Sequence, residues 1–204
     1  DGGTNADGAP TSYTYDTPAL NAPGDASKTG YTFNGWYTDA ALTEPLGPTF
    51  TPTDDMTLYA KFTVHTYDVT FVTAGAPIAP LGDQAYGSLI TLTPPTRTGY
   101  TFGGWTSTDV TVADDGTFTM PDKAVSITAN WDPEVYTISY VLDGGTNADG
   151  APTSYTYDDP ALNAPGDASK TGYDFEGWYT DAALTEALGP TFTPTDDMTL
   201  YAKF

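Results

Sequence analysis

Gly30-Tyr31-Thr32-Phe33-Asn34-Gly35-Trp36 decides the reading of this chain. Its residues alternate as on a β-strand, with Tyr31, Phe33 and Gly35 on one face and Thr32 and Asn34 on the other. The pattern returns as Gly99-Tyr100-Thr101-Phe102-Gly103-Gly104-Trp105 and as Gly172-Tyr173-Asp174-Phe175-Glu176-Gly177-Trp178. In the last of these only Thr32 and Asn34 have changed, to Asp174 and Glu176. Variation confined to one face is the mark of a strand whose other face is buried.

Reading outward, residues 1–62 reappear at 143–204, offset by 142, with four differences: Thr17 becomes Asp159, Thr32 Asp174, Asn34 Glu176 and Pro45 Ala187. A divergent relative lies between the two copies. The signature Trp residues stand 69 and 73 positions apart, which fits small domains in tandem and not solenoid turns. Each unit ends in an aromatic-tipped strand: Thr57–Phe62, Val125–Trp131 and Thr199–Phe204. The second and third units open on alternating strands, Val64–Val72 and Val135–Leu142. The predicted division is 1–62, 63–133 and 134–204. The first unit lacks an opening strand, which is expected just upstream in a longer parent. Its open edge invites completion or self-association by another chain. Thr63 alone, and then Asp132-Pro133-Glu134, join the units. Linkers this short predict a semi-rigid, elongated rod.

Composition fits a mostly β chain, α+β at most. Thr, Tyr and Phe favour strands, and the 17 Pro and 21 Gly interrupt them often. Within the third unit, strands are predicted at Val135–Leu142, Thr153–Tyr157, Tyr173–Tyr179 and Thr199–Phe204. One or two helical turns are predicted at 181–186 with Asp181 as N-cap, and one more turn of helix between Pro165 and Lys170. The predicted core holds Ile138, Tyr140, Leu162, Tyr173, Phe175, Trp178, Leu184, Phe192 and Leu200. The signature Trp reads as core in preference to a sugar-stacking platform, because it recurs beside a Gly in every unit.

The same residues carry a family resemblance. Gly-Tyr-x-Phe-x-Gly-Trp at 30–36, 99–105 and 172–178, with the closing Leu-Tyr-Ala-Lys-Phe, resembles the Listeria–Bacteroides repeat, or internalin B-repeat, family. The middle unit resembles its divergent variant through Thr117–Pro121 and Val125–Trp131. The resemblance implies small β-grasp-like, ubiquitin-like domains in tandem in secreted or wall-attached bacterial proteins. It also implies a structural role for Gly30, Tyr31, Phe33, Gly35 and Trp36 and for their counterparts, and no catalytic residues.

A net charge of -21 with six Lys plus Arg excludes the basic stripe that nucleic acids need. The absence of Cys excludes disulfides and thiolate chemistry. No apolar run is long enough to span a membrane, and no basic, apolar leader is visible from which to read export. His65 is the one His, expected as a satisfied or solvent-facing strand residue. The pairs Asp54-Asp55, Asp114-Asp115, Asp158-Asp159 and Asp196-Asp197 read as turn caps and not as glycosidase carboxylates. Asp143, Asn147 and Asp149, with Asp1, Asn5 and Asp7, form a weaker candidate for calcium. An isopeptide crosslink at Lys61 or Lys203 is a still weaker one; both read as edge or surface residues. The expected site and cofactor complement is therefore empty. Two roles stay open: a surface stalk that projects a distal domain, and an adhesive module for a host or matrix protein or glycan that uses Tyr13, Tyr15, Tyr155 and Tyr157 or a sheet edge. Both place the chain outside the cell, with flanking repeats as its nearest partners.

Overall fold

The computed structural model describes residues 2–204, and every regular element among them is a strand. The first copy contains β1 (Leu20–Asn21), β2 (Tyr31–Tyr37), β3 (Thr49–Phe50) and β4 (Tyr59–Val64). The relative follows with β5 (Thr66–Val72), β6 (Leu81–Ala85), β7 (Leu89–Thr91), β8 (Tyr100–Thr106), β9 (Thr117–Thr119) and β10 (Val125–Pro133). The second copy has β11 (Val135–Val141), β12 (Ser154–Thr156), β13 (Leu162–Asn163), β14 (Gly177–Tyr179), β15 (Thr191–Phe192) and β16 (Met198–Lys203). The chain divides into two compact units. One runs up to Pro94 and adds Trp105–Ala129; the other joins Pro95–Gly104 to Asn130–Phe204.

The second copy displays the whole plan. Its sheet has the order β12-β11-β16-β14. The opening strand β11 lies antiparallel to β12 (Tyr136 opposite Tyr155) and parallel to the closing strand β16 (Ile138 opposite Met198, Tyr140 opposite Leu200). The signature strand β14 flanks β16 on the other side, with Trp178 opposite Ala202. A parallel pair needs a long crossover, and residues 142–197 supply it with short strands and turns. Alternation along β11 turns Ile138 inward onto Trp178, Leu200, Ala202, Tyr155 and Ala168, which form the buried cluster. The relative repeats the plan as β6-β5-β10-β8, with β5 and β10 parallel. Val69, Met120, Val125 and Ile127 are its most deeply buried side chains.

The first copy is built from nearly the same residues and ends differently. Among the described residues it has β2 paired with β4 and β1 paired with β3, and no strand in the place that β11 fills in the second copy. Leu200 is 0% exposed and Tyr155 4% exposed. Their counterparts Leu58 and Tyr13 are only half-buried, and Met56 is 42% exposed. Residues 12–14 and 56–58, identical to strand residues 154–156 and 198–200, form no ladder. One sequence in two settings thus shows what the opening strand contributes.

The signature strand follows its alternation as far as Gly35, and Trp36, which strict alternation would place with Thr32 and Asn34, turns inward after the register shift there. Thr32 and Asn34 are exposed, while Tyr31, Phe33 and Gly35 are partly covered and Trp36 is buried. Gly35 sits at a bulge, where the β2–β4 register shifts between Phe33 and Gly35, and its φ of 115° is open to glycine and costly for other residues.

Five expectations are corrected. Residues 181–186 form a turn and not a helix: Leu184 has φ 56°, and the Asp181 carboxylate accepts from the backbone N–H groups of Thr185 and Glu186. That side chain satisfies donors which a helix would have used internally. The 165–170 connection is likewise without helix. In the second copy the signature strand is only β14, and Tyr173 is 60% exposed instead of core. In the first copy Thr63 and Val64 extend the ladder opposite Thr32 and Tyr31. Lys203 lies on an interior strand, not an edge. Finally, Thr63 belongs to β4 and Asp132 and Pro133 to β10, so a single residue, His65 or Glu134, separates consecutive strands at each junction.

The two settings predict unequal costs for one truncation. Leu200→Ala should destabilise the second copy by about 3 kcal/mol, and Leu58→Ala the first by about half of that. Urea unfolding of the two variants measures the difference.

Candidate functional site

Each junction between consecutive repeats is built on one residue whose two backbone groups point opposite ways. The His65 N–H donates to the Gly30 carbonyl (2.8 Å), and the His65 carbonyl accepts from the Tyr86 N–H (2.9 Å). At the second junction the Glu134 N–H donates to the Gly99 carbonyl (2.9 Å), and its carbonyl accepts from the Tyr157 N–H (2.9 Å). The linker residue is therefore bonded to the repeat before it and to the repeat after it. These are backbone contacts, so His and Glu serve equally well.

A ring seals each junction. The Tyr86 ring lies against Gly30, where a Cβ would come within 1.9 Å of a ring carbon; the Tyr157 ring lies against Gly99, where the distance would be 2.4 Å. Both glycines have left-handed φ values, 76° and 74°, so conformation and space each call for glycine there. The neighbouring signature Tyr meets the same ring edge-on. Tyr31 and Tyr86 have centroids 6.3 Å apart, and Tyr100 and Tyr157 5.5 Å. A cation lies over the signature Tyr: Lys28 is 4.0 Å from the Tyr31 centroid and Arg97 3.5 Å from that of Tyr100. Lys170 lies over Tyr173 in the same way, at 4.5 Å. Three of the six basic residues thus occupy one position, three before the signature Tyr. That spacing (Lys28, Arg97, Lys170) is a local signal in the sequence that periodicity and composition do not single out.

Side chains differ between the junctions. At the first, His65 Nδ1 lies 2.6 Å from Asp122 Oδ1 and Nε2 3.0 Å from the Thr32 hydroxyl. The carboxylate calls for the ring proton on Nδ1, so the neutral ring accepts from Thr32 at Nε2. The Tyr67 hydroxyl also donates to Asp122. The hydrogen bond from His65, reinforced by Tyr67, holds the Asp122 carboxyl below the usual carboxylate range against some desolvation. At the second junction the Tyr100 hydroxyl donates to Asp158 (2.5 Å), and that bond pushes the Tyr100 phenol upward.

The other candidates are accounted for one by one. Trp36 and Trp178 are buried, and their indole N–H groups donate to the Gly24 and Gly166 carbonyls (3.0 Å each), so they are core residues and not platforms. Asp115 accepts from the Thr117 N–H and hydroxyl, Asp196 from the Asp197 N–H, and Asp197 from the Thr137 N–H. Asp158 instead joins the second junction. In the calcium candidate, Asp143 is engaged by Lys170 (2.8 Å) and Asn147 Oδ1 accepts from the Ala148 N–H. Asp1 lies outside the described residues. Among those described, no three His, Asp or Glu side chains gather around one point. Lys203 pairs with Glu176 (2.9 Å), Lys61 lies over the Tyr37 ring, and Asn130 donates to the Gly104 carbonyl. Tyr15 is 86% exposed whereas Tyr155 is buried and Tyr157 is packed into a junction, so no aromatic patch is common to the two copies. One further feature stands apart: a groove of about 800 Å³ in the first copy, lined by Pro10, Tyr13, Leu20, Phe50, Met56 and Leu58 among others.

The model of the Listeria-Bacteroides repeat domain matches residues 1–61 and 136–203, and that of the divergent InlB B-repeat domain matches residues 67–135. A protein of Evansella cellulosilytica named as a Gly-rich membrane protein is 34% identical over 190 residues, which is 91% of this chain and 22% of that protein. Another from the same bacterium, named as a membrane protein, is 33% identical over 189 residues, 91% of this chain and 28% of its own. Internalin H of Listeria monocytogenes is 36% identical over 132 residues, 61% of this chain and 24% of its own. The chain thus spans about a quarter of the length of the curated relatives it matches. No solved structure matches it, and no helix among the described residues is long and apolar enough to cross a membrane.

Two outcomes follow from the junctions. Gly99→Ala should displace the Tyr157 ring and abolish its contact with Tyr100 in NMR spectra. Gly172→Ala, with no atom within 4 Å of the added Cβ, should cost only the backbone strain of about 1–2 kcal/mol. For acid, the sign is set by Asp122. Its folded pKa is depressed, so its contribution is present above the ordinary carboxylate range and is lost as pH falls through the folded value. Melting measured down to pH 2 should show an acid-side loss in the parent chain that Asp122→Asn reduces.

Proposed function

The chain belongs to the Listeria-Bacteroides repeat family, and on that premise we propose that it is a non-catalytic spacer region of a bacterial surface or secreted protein. Its work is to hold a distal domain, adhesive or otherwise, away from the cell. The observation that carries this reading is the junction. The same single-residue, doubly hydrogen-bonded linker and the same Gly–Tyr contact occur twice, although the second junction shares few side chains with the first. A geometry retained through such substitution favours a fixed angle between neighbours, which a spacer needs and a flexible tether lacks.

On this reading residues 1–62, 63–133 and 134–204 are three successive β-grasp-like domains with the helix of that fold replaced by turns. The mixed sheet order, with opening and closing strands parallel at the centre, supports the assignment. The units stack as an elongated rod outside the cell, attached to it or secreted, with flanking repeats as the principal partners. The names of the relatives, an internalin and membrane proteins, support this location. The acidic surface keeps such an array soluble and apart from its neighbours.

Small-angle scattering across a concentration series tests the proposal. A particle about three domains long, independent of concentration, is the expected result. A compact particle would overturn it.

A further inference from the structure

We infer that Asn34 is a modification site: in the folded chain it loses its side-chain amide by hydrolysis through a cyclic imide, and the carboxylate left behind takes the place that Glu176 holds in the second copy. The inference needs only the folded repeat and stands apart from the spacer reading. Asn is among the thermolabile residues. Its deamidation begins when the backbone nitrogen of the next residue attacks the side-chain Cγ. The new N–Cγ bond closes a five-membered succinimide. The Cγ–Nδ2 bond breaks, and Nδ2 leaves as ammonia with the proton that the backbone nitrogen gives up. Water then opens the ring at either carbonyl and leaves aspartate or isoaspartate. Nothing is oxidised or reduced, and solvent water is the one co-reactant.

Position 34 combines what this chemistry requires. The chain has six Asn, and the residues after them are Ala6, Ala22, Gly35, Trp131, Ala148 and Ala164. Only Asn34 is followed by a nitrogen with no side chain beside it. A Cβ built on Gly35 would meet nothing within 4 Å, so the approach is open. Asn34 is exposed. It is also the extra residue of the bulge, because the register passes from Phe33 opposite Phe62 to Gly35 opposite Lys61. A bulged residue stands out of the ladder, and its backbone bends away from the extended form that keeps the next nitrogen far from Cγ. Finally, the Thr63 hydroxyl donates to Asn34 Oδ1 (2.7 Å). Attack at Cγ puts negative charge on that oxygen, and a donor already in place stabilises it there.

The product has a setting prepared for it. In the second copy this position is Glu176, whose carboxylate meets Lys203 Nζ (2.9 Å) while the same Nζ lies 5.5 Å from the Tyr179 ring centroid. In the first copy Lys61 Nζ lies over the matching ring, 5.0 Å from the Tyr37 centroid, and the position that carries the acid in the second copy holds a neutral amide. Deamidation supplies Lys61 with that acid and gives the Thr63 hydroxyl an ionised acceptor, which makes the stronger hydrogen bond. The fold tolerates the product, since the second copy already carries an acid there. The relative has Gly103 at this position, where a Cβ would come within 2.8 Å of an Asp132 carboxylate oxygen, so the site belongs to the first copy. Each conversion adds one negative charge to the exposed face of β2, and the charge accumulates with the age of the chain.

The experiment holds the intact chain in mildly alkaline buffer at physiological temperature and follows each Asn by peptide mass spectrometry, where conversion of amide to acid adds about 1 Da. Asn34 should convert roughly tenfold or more faster than each of the other five. Thr63→Val should slow that conversion several-fold. Asn34→Asp, which is the aspartate product, should move the Lys61 side-chain nitrogen signal in NMR spectra and leave that of Lys28 in place. The inference is overturned if Asn34 converts no faster than the Asn residues followed by Ala, if the Thr63→Val chain converts as fast as the parent, or if the Lys61 signal stays where it is.

Discussion

The parallel pairing of opening strand with closing strand is the contact on which the second copy and its divergent relative are built. It places the closing strand inside the sheet, so that Leu200 is covered by β11 on one side and the signature strand with Trp178 is seated on the other. It also decides which residues become β-structure at all. Residues 12–14 and 56–58 have the sequence of strands but form no ladder without it. Local propensity here is a readiness to pair, and pairing itself comes from the third strand. A short repeat without disulfides has little stability in reserve. Burial of Ile138, Tyr155 and Leu200 by one strand is a large part of what holds the unit closed.

The second constraint acts between consecutive repeats. A single residue, His65 or Glu134, separates the closing strand of one from the opening strand of the next. His65 and Glu134 complete the hydrogen bonding of both neighbours, and a tyrosine ring fills the space left by a missing Cβ. Gly30 and Gly99 belong to the signature as much for this contact as for the fold of their own unit. The supporting polar groups are interchangeable: His65 with Asp122 at one junction, Tyr100 with Asp158 at the other. Thr32, one of the few positions where the copies differ, touches the linker residue itself at the first junction.

Much of this was legible in the sequence. Repetition located the units, alternation assigned the faces of the signature strand, and the fixed Gly–Trp pair marked the core. What was not legible depended on partners remote in the chain. Tyr173 is on the inward face by alternation, yet it is exposed. Residues 181–186 have helical composition, but Leu184 takes a left-handed conformation and the Asp181 carboxylate collects the N–H groups. Lys203, expected at an edge or on the surface, lies on the interior strand β16 with its side chain partly exposed, because β11 pairs beyond that strand. His65 was read as satisfied, and its partners Thr32 and Asp122 lie 33 and 57 residues away, a distance that no local pattern encodes. The basic residue before each signature Tyr was a local signal, and only its repetition gives it meaning.

Amide hydrogen exchange in the intact chain compares the two copies most directly, since residues 56–59 and 198–201 are identical in sequence. If the opening strand sets burial and pairing, the amides of 198–201 exchange with the protection of a core strand, and those of 56–58 exchange at least tenfold faster. Equal protection at the two segments would mean that the closing strand is held by something other than the opening one, and would contradict this account.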